Sequence, residues 1–315
     1  MKPPWRFFLL VVGLIGCSVD TASSVWSEPL LATADGGALL LTHVTALSGD
    51  VGEERCGATR ITHVSAALVV RRVAAGTRAL CDATRLGNRR VGFDESGRLL
   101  FTDAGDKGRL KAFGPREDSV SVLMDGCADG EAVLAADGQS RQVALYLQGC
   151  EHSRGPWLHI LKLSLDARSV VSADSMRMEF PPQFMTFGPE QTRLLLQVRD
   201  TVADRIVVLD LATRVVSEVT RGELPGAKST GNGFAFKGAP QLATDGWALM
   251  YSDSLIANAR TVLTMRQARA LIGDSTATEM SAPVVAVDNQ HVWIGFGGKV
   301  LRVHVTTRVV DVIAP

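Results

Sequence analysis

Apolar residues along the chain form short runs of five to nine residues that alternate with polar positions or continue without a break. Val, Leu and Ile dominate these runs, and Gly, Asp and Asn separate them. Runs of this length and composition are typical of β-strands. A helical spacing of apolar residues is nearly absent, and the segment 264–274 is the one that is ambiguous between a helix and a strand.

A repeated hairpin pattern follows the first thirty residues. Each copy has an apolar lead-in, a turn marked by an acidic residue, and an apolar strand after the turn. The markers are separated by 59, 43, 53, 55 and 43 residues, which indicates internal repeats of similar size. The six markers are Asp35, Asp94, Asp137, Glu190, Asp245 and Asp288.

A second pair of strands follows the marked hairpins, most clearly at 205–220 and 299–314. Each unit therefore holds about four antiparallel strands, which is the content of a propeller blade. The pattern predicts an all-β fold, a six-bladed β-propeller of four-stranded antiparallel blades over residues 29–315. Blades bury both faces only against their neighbours, so the ring is one domain. A β-sandwich, or two stacked all-β domains, is the alternative, and the steady repeat argues against it.

Three segments resemble the WD40-like repeats of TolB-type propellers. They are "ADGGALLL" at 34–41, "TDGWALMY" at 244–251 and "VVLDLATRVVSEVT" at 207–220. Repeats of that family carry an SPDG turn and a later strand pair, and no unit of this chain has the full SPDG sequence. The resemblance does not include the N-terminal domain of TolB. It implies the propeller fold and no particular activity.

The first sixteen residues have the pattern of a signal peptide. Lys2 and Arg6 precede the apolar run Phe7–Ile15. A helix of that run would be about 14 Å long. This is too short for the roughly 30 Å hydrocarbon core of a bilayer. A positive flank, a short apolar stretch and small residues after it are the features of a secretory signal.

The sequence "LIGC" at 14–17 resembles the lipobox of bacterial lipoproteins. Members of that family are cut before the Cys, which carries the acyl chains, so the resemblance implies lipid attachment at Cys17. Two or more acyl chains give stable membrane anchoring. Ser18, rather than Asp, follows this Cys, and the family's sorting rule then favours the outer membrane over the inner membrane. An ordinary secretory signal with an incidental Cys is the alternative.

The residues after the lipobox are small and polar, and 17–28 is expected to be a lipid-anchored tether to the propeller domain at 29–315. Four further cysteines in an exported chain suggest two disulfide bonds, with three possible connectivities. In the predicted propeller they fall in connections at one end of the blades. Separations of 25 and 23 residues favour the pairs Cys56–Cys81 and Cys127–Cys150, and reduced thiols are the alternative.

The longest irregular segment is "RGELPGAKSTGNGFAFKGAP" at 221–240. Its "GAKST" is not a phosphate-binding loop, because Ala227 stands where that motif requires Gly. An exposed Gly-rich segment with aromatic residues is able to adapt to a partner. The candidate contacts of such a binding loop are Lys228, Asn232, Phe234 and Phe236.

Composition narrows the function further. The chain of 315 residues has 46% hydrophobic and 21% charged residues, as globular proteins do. Without Lys2 and Arg6 it has 31 basic and 33 acidic residues and no basic stretch, so nucleic acid is not an expected partner. The cysteines form no CxxC pair and have no His at zinc-site spacing. We identify no catalytic residue, metal ligand or cofactor motif.

The expected function is therefore a binding or scaffolding module. It is held in the cell envelope by the membrane through lipidated Cys17, with other envelope proteins as partners. The alternative is a propeller hydrolase or lyase with a metal or polar site at the central pore.

Overall fold

The computed structural model is an all-β propeller with four-stranded antiparallel blades. It describes residues 22–47, 59–77, 79–81, 83, 87–103, 109–125, 132–137, 140–148, 156–187, 192–199, 204–218, 241–243, 246–251, 254–257, 260–277, 280–281, 283–288 and 290–315. In this part of the chain the strands form six sheets, each of four strands consecutive in sequence.

The first three sheets contain the N-terminal half of the described chain. The first sheet contains β1 (Ala22–Ala32), β2 (Ala38–Leu47), β3 (Arg60–Val64) and β4 (Val70–Ala75). The second sheet contains β5 (Gly87–Gly92), β6 (Leu99–Asp103), β7 (Leu110–Gly114) and β8 (Ser119–Met124). The third sheet contains β9 (Ala132–Asp137), β10 (Gln142–Leu147), β11 (Trp157–Leu163) and β12 (Val170–Arg177).

The remaining strands form three sheets of the same order. The fourth sheet contains β13 (Pro182–Phe187), β14 (Arg193–Arg199), β15 (Asp204–Asp210) and β16 (Val216–Glu218). The fifth sheet contains β17 (Gln241–Ala243), β18 (Gly246–Tyr251), β19 (Ser254–Ala257) and β20 (Arg260–Thr264). The sixth sheet contains β21 (Val284–Val285), β22 (His291–Phe296), β23 (Lys299–His304) and β24 (Val310–Ile313).

The acidic markers within the described residues hold the turn between the first two strands of their sheets, and Glu190 and Asp245 lie outside the described residues. Asp35 Oδ1 accepts a hydrogen bond from Gly37 N at 3.1 Å, and Asp94 Oδ1 accepts one from Ser96 N at 2.9 Å. Asp288 Oδ1 accepts one from Gln290 N at 2.8 Å in the sixth sheet. A carboxylate that binds the backbone two residues ahead stabilises a turn, which explains the repeated marker.

The sheets pack face to face, so their strands are buried on both sides. Leu39 and Leu41 of β2 pack with Phe101 of the second sheet. Leu40 lies between them, points to the opposite side and packs with Trp293 of the sixth sheet. This alternation follows from the two-residue period of a strand, and it explains the long apolar runs of the sequence.

The first and sixth sheets meet along β1, β21 and β22, and we call this interface the seam. Ser27 is fully buried there, and its hydroxyl donates to Gly298 O at 2.9 Å. A Cβ atom at Gly295 would lie 1.8 Å from Ser27 O, so only glycine fits at this position. Because β1 begins at Ala22, the predicted boundary between tether and domain at 28/29 falls inside a strand.

The connections of each sheet lie at two ends. The turns β1–β2 and β3–β4 are at one end, which we call the turn end. The end of β2, the start of β3 and the start of β1 are at the other, which we call the link end. Ala34 N donates to the Glu95 carboxylate, so the first hairpin turns of the first two sheets adjoin. Val25 of β1 lies against Gly298 in the β22–β23 turn, so the link ends of the first and sixth sheets also adjoin.

The ambiguous segment 264–274 forms a helix, α1 (Met265–Ile272), between the fifth and sixth sheets. Thr264 and Gln267 form a capping box at its start, and Gly273 ends it in the left-handed region with φ 71°. Met265, Ala268 and Ile272 form its buried side. Within the described residues no helix is long and apolar enough to cross a membrane.

Candidate functional site

Most residues singled out in the sequence lie outside the described part of the chain. Cys81 is described; it is 6% exposed, and its Sγ lies 4.0 Å from Thr59 Oγ1. Thr59 follows Cys56 by three residues in the sequence. The residues outside the described part are Cys17, Cys56, Cys127, Cys150, Lys228, Asn232, Phe234 and Phe236.

An open groove of about 680 Å³ separates the outer strands of the third and fourth sheets. Met176 of β12 and Met178, just after this strand, line it on one side, and Val207 and Leu209 of β15 line it on the other. All four are buried members of one apolar cluster between these sheets. We call this feature the inter-sheet groove.

Within the described residues, the fourth sheet is narrow at its outer edge beside the groove. The three residues of β16, Val216–Glu218, are all exposed. In the described residues β16 pairs with Val207–Leu209, the central part of the seven-residue strand β15. The eight-residue β12, on the opposite wall, pairs along its length with β11. In the described residues, a short outer strand therefore faces a long one across the groove.

Charged residues of both signs form the rim of the groove. Arg177 and Glu179 lie on the side of the third sheet, and Arg214 and Glu218 lie on the side of the fourth sheet. Arg214 also pairs with Asp174 at 2.9 Å across the two sheets, with side chains 54% and 59% exposed. An apolar floor with a mixed-charge rim suits an amphipathic partner, in which apolar side chains alternate with polar ones.

A histidine supports the wall of the groove. His159 Nδ1 lies 2.8 Å from the hydroxyl of Ser175, which lines the groove. Burial lowers the pKa of His159 below its usual value, because the protein interior disfavours the charged imidazolium. The imidazole is therefore neutral near pH 7, where it holds Ser175 in place.

A second polar feature lies where the first strands of the first and second sheets meet. Arg90 of β5 pairs with Glu28 of β1, with Nε and Oε1 3.1 Å apart and side chains 19% and 21% exposed. A register shift in β1 between Pro29 and Leu31 follows Glu28 directly. Irregularities of this kind redirect side chains and are frequent near functional sites.

His43 of β2 completes this set, which we call the inner charged group. Burial lowers the pKa of His43, and the positive charge of Arg90 lowers it further, while Glu28 acts in the opposite direction. The buried Nδ1 of His43 has no hydrogen-bond partner within the described residues. A carboxylate, a guanidinium and a neutral imidazole together can bind a polar ligand or transfer a proton.

Thr33, Asp35 and His63 resemble a catalytic triad in composition but not in geometry. His63 Nε2 lies 3.3 Å from Thr33 Oγ1 and 3.3 Å from Asp35 Oδ2. In a catalytic triad the hydroxyl and the carboxylate bind different ring nitrogens of the histidine, whereas here both lie beside Nε2. The hydroxyl of Thr33 donates to Asp35 at 2.5 Å and lowers the pKa of that carboxyl, so the set stabilises a turn.

The described residues contain no group of three or more His, Cys, Asp or Glu side chains that could hold a metal ion. The inter-sheet groove and the inner charged group were both missed in the sequence, since each joins residues of two sheets. Glu28 offered one signal, because it is the charged residue of an otherwise uncharged strand segment, 22–32.

Comparison with known proteins gives matches in structure alone. No family model matches the chain, and no curated protein matches its sequence. A chain of the nidogen/laminin complex aligns at a TM-score of 0.48 with 8% identity, over 92% of this chain and 94% of that one. A puromycin-hydrolysing peptidase of Mycobacterium tuberculosis aligns at 0.49 with 11% identity, over 91% of this chain and 52% of that one. TolB of Acinetobacter baumannii aligns at a TM-score of 0.36 with 11% identity, over 92% of this chain and 63% of that one.

Proposed function

We propose that this protein is a lipid-anchored β-propeller of the cell envelope that works as a binding or scaffolding module for other envelope proteins. The inter-sheet groove is the observation that carries the proposal. Its volume of about 680 Å³ is sufficient for several side chains of a partner, and its floor is apolar. Methionines such as Met176 and Met178 adapt to differently shaped apolar groups, which suits a protein-binding surface.

The candidate loop is next to the groove in sequence. Glu218 lines the groove as the last residue of β16, and the segment 221–240 begins three residues later. The contacts proposed for that segment, Lys228, Asn232, Phe234 and Phe236, would then extend the binding surface beyond the groove.

Site-specific photo-crosslinking tests the binding function. A photoreactive amino acid replaces Val216, which lines the groove and is 51% exposed, in the full chain expressed in its host. We expect a crosslinked protein adduct on irradiation. Val171, on β12 and 65% exposed, does not line the groove and is the matched control. Equal adducts at both positions, or none at Val216, would contradict the proposal.

The anchor is proposed from the lipobox. Cys17 carries the lipid, and Ser18 favours the outer membrane. Replacing Cys17 with Ala should release the protein from the detergent phase or leave it uncleaved. A processed variant that still partitions with detergent would refute the anchor.

Six blades, one for each sheet, are proposed for the ring. Contacts between the first strands of successive sheets, and between β21 and β1, support a closed ring of six. The disulfides Cys56–Cys81 and Cys127–Cys150 are proposed to brace the link end. The burial of Cys81 beside Thr59 supports the first pair. Peptide mapping without reduction should recover both pairs, and Cys56–Cys150 or Cys81–Cys127 peptides would overturn the pairing.

A propeller hydrolase or lyase is the second candidate, and the inner charged group favours it. Glu28 and Arg90 lie on first strands that adjoin, and His43 lies beside them. A panel of esters, lactones and uronide substrates tests this function. Turnover that is lost in Glu28→Gln, with the fold retained, would establish the enzyme. Turnover that persists in this variant would show that the activity does not depend on the inner charged group.

A further inference from the structure

The start of β1 fixes which end of the propeller the anchored chain reaches. Ala22 pairs with Leu47 at the far end of β2, which is the link end of the first sheet. If Cys17 is the lipidated residue, as proposed above, four residues separate it from Ala22. An extended chain spans at most about 3.6 Å per residue, so the strand begins within roughly 18 Å of the acylated residue.

A continuous surface runs from this point to α1. Gly298, in the β22–β23 turn, lies against Val25 of β1, and its neighbour Gly297 lies against Ile272 of α1. The helix therefore covers the link end of the sixth sheet with its buried side. Its opposite side faces away from that end, and it carries Arg266 and Leu271, which is 46% exposed. We call Val25, Arg266, Arg269, Leu271 and Lys299 the anchor-side surface.

The charge of the anchor-side surface is positive. Arg269 Nε donates to Ala277 O, in the segment after the helix, at 2.8 Å, and Lys299 Nζ donates to Ile272 O, at the end of the helix, at 3.0 Å. Carbonyl groups therefore orient both cations. Asp274 is the acidic residue of this region in the described chain, and its carboxylate accepts from Thr276 N at 2.8 Å. Among the described residues of this region, three cations against one carboxylate leave an excess of positive charge.

Exposed apolar residues accompany this charge. Val25 is 47% exposed and Leu271 is 46% exposed. A surface with basic and apolar side chains next to a lipid attachment point has the chemistry of a membrane-contacting surface.

We propose that the anchor-side surface rests on the membrane that holds Cys17, with its basic side chains on anionic phospholipid headgroups. Leu271 and Val25 then lie at the level of the headgroups. The propeller stands with its link end on the bilayer, and its turn end points away from it. This inference rests on the proposed lipid anchor and adds the orientation of the propeller and the class of lipid it contacts.

Fluorescence quenching in vesicles tests the orientation. The full lipidated chain carries a fluorescent amino acid at Leu271 or, as the matched control, at Val309, which is 60% exposed at the turn end. The vesicles contain phosphatidylethanolamine, phosphatidylglycerol and a phospholipid with a spin-labelled headgroup. We expect at least threefold stronger quenching at Leu271 than at Val309. Equal quenching in protein that floats with the vesicles would overturn the orientation while leaving the anchor intact.

Protein that does not float with the vesicles would overturn the anchor and the orientation together. A charge reversal then tests the choice of lipid. Arg266→Glu should reduce the quenching at Leu271 by about half without changing flotation, because the anchor is untouched. Arg308→Glu, at the turn end, is the control and should change nothing. Equal effects of the two variants on the quenching at Leu271 would refute the contact with anionic headgroups. The absence of any effect of Arg266→Glu would refute it as well.

Discussion

The seam and the inter-sheet groove are both interfaces between neighbouring sheets, but one is closed and the other is open. At the seam Ser27, Trp293 and Ile313 are buried, and a glycine allows two backbones to touch. At the groove the exposed strand β16 stands opposite β12, and a volume of about 680 Å³ lies between them.

The difference shows that one repeated unit can pack against its neighbour in two ways. The seam joins the two ends of the described chain and shares no strand between sheets, so side-chain packing has to close it. The third and fourth sheets are already joined by a direct link, 178–181, and share a buried cluster. Their outer edges can therefore remain apart at a small cost in stability.

Deleting residues 307–315 has the largest expected effect. The deletion removes β24 and the buried side chain of Ile313, which belongs to the apolar cluster of the seam. The β23 strand then becomes an open edge that can pair with other chains. We expect aggregation, measured by size-exclusion chromatography with light scattering. A truncated monomer with an unchanged melting temperature would contradict the account of the seam.

Gly295→Ala should be the most harmful single substitution at the seam. The new Cβ atom would lie 1.8 Å from Ser27 O, so one backbone has to move. We expect a loss of about 3 kcal/mol in the free energy of unfolding, measured in urea. Gly273→Ala is the control, because no atom lies within 4 Å of its Cβ position and only the left-handed φ of 71° is unfavourable. That cost is about 1–2 kcal/mol.

Val216→Asp at the groove should leave the fold nearly unchanged. Val216 is 51% exposed, so we expect a change within about 0.5 kcal/mol in the free energy of unfolding. The same variant should abolish crosslinking of a partner through a probe at Glu218, because a carboxylate disfavours an apolar contact. A large loss of stability would show that the groove is part of the packed core.

Acid should weaken the groove wall through His159. Burial lowers the pKa of this residue in the folded state, so the unfolded chain takes up the proton first as the pH falls below about 6.5. Stability contributed by the neutral imidazole is complete above that pH and decreases below it. We expect the urea concentration at the unfolding midpoint to decrease when the pH is lowered from 7.5 to 5.5. The decrease should be smaller in His159→Gln. An equal fall in both proteins would assign the effect to other groups, His43 among them.

Much of the fold could be predicted because its signals are local. The markers Asp35, Asp94 and Asp288 each bond to backbone groups within a few residues, so the sequence repeats wherever that turn repeats. Arg214 and Arg308 occupy equivalent positions in two repeated strand pairs, and both adopt a left-handed φ near 60°. The strand order could be predicted from local hydrogen bonds at the turns and from the two-residue alternation of side chains along each strand.

Some local elements were less certain in the sequence. The helix α1 carries a capping box, yet its short apolar stripe left the segment ambiguous until the packing of Ile272 under Gly297 was known. The start of β1 at Ala22 was missed because Ser23, Ser24 and Ser27 look like tether residues. They pair with β2, and Ser27 is buried only because the sixth sheet lies against it.

The tertiary structure alone decided the candidate sites. Glu28 and Arg90 are 62 residues apart, and the packing of two sheets brings them to 3.1 Å. The groove is lined by residues of two sheets, between Trp157 and Phe180 and between Val198 and Glu218, which no single segment brings together. Strand order follows from turns and alternation inside each unit, whereas a site between units depends on how two sheets meet, and that is set by the closure of the whole ring.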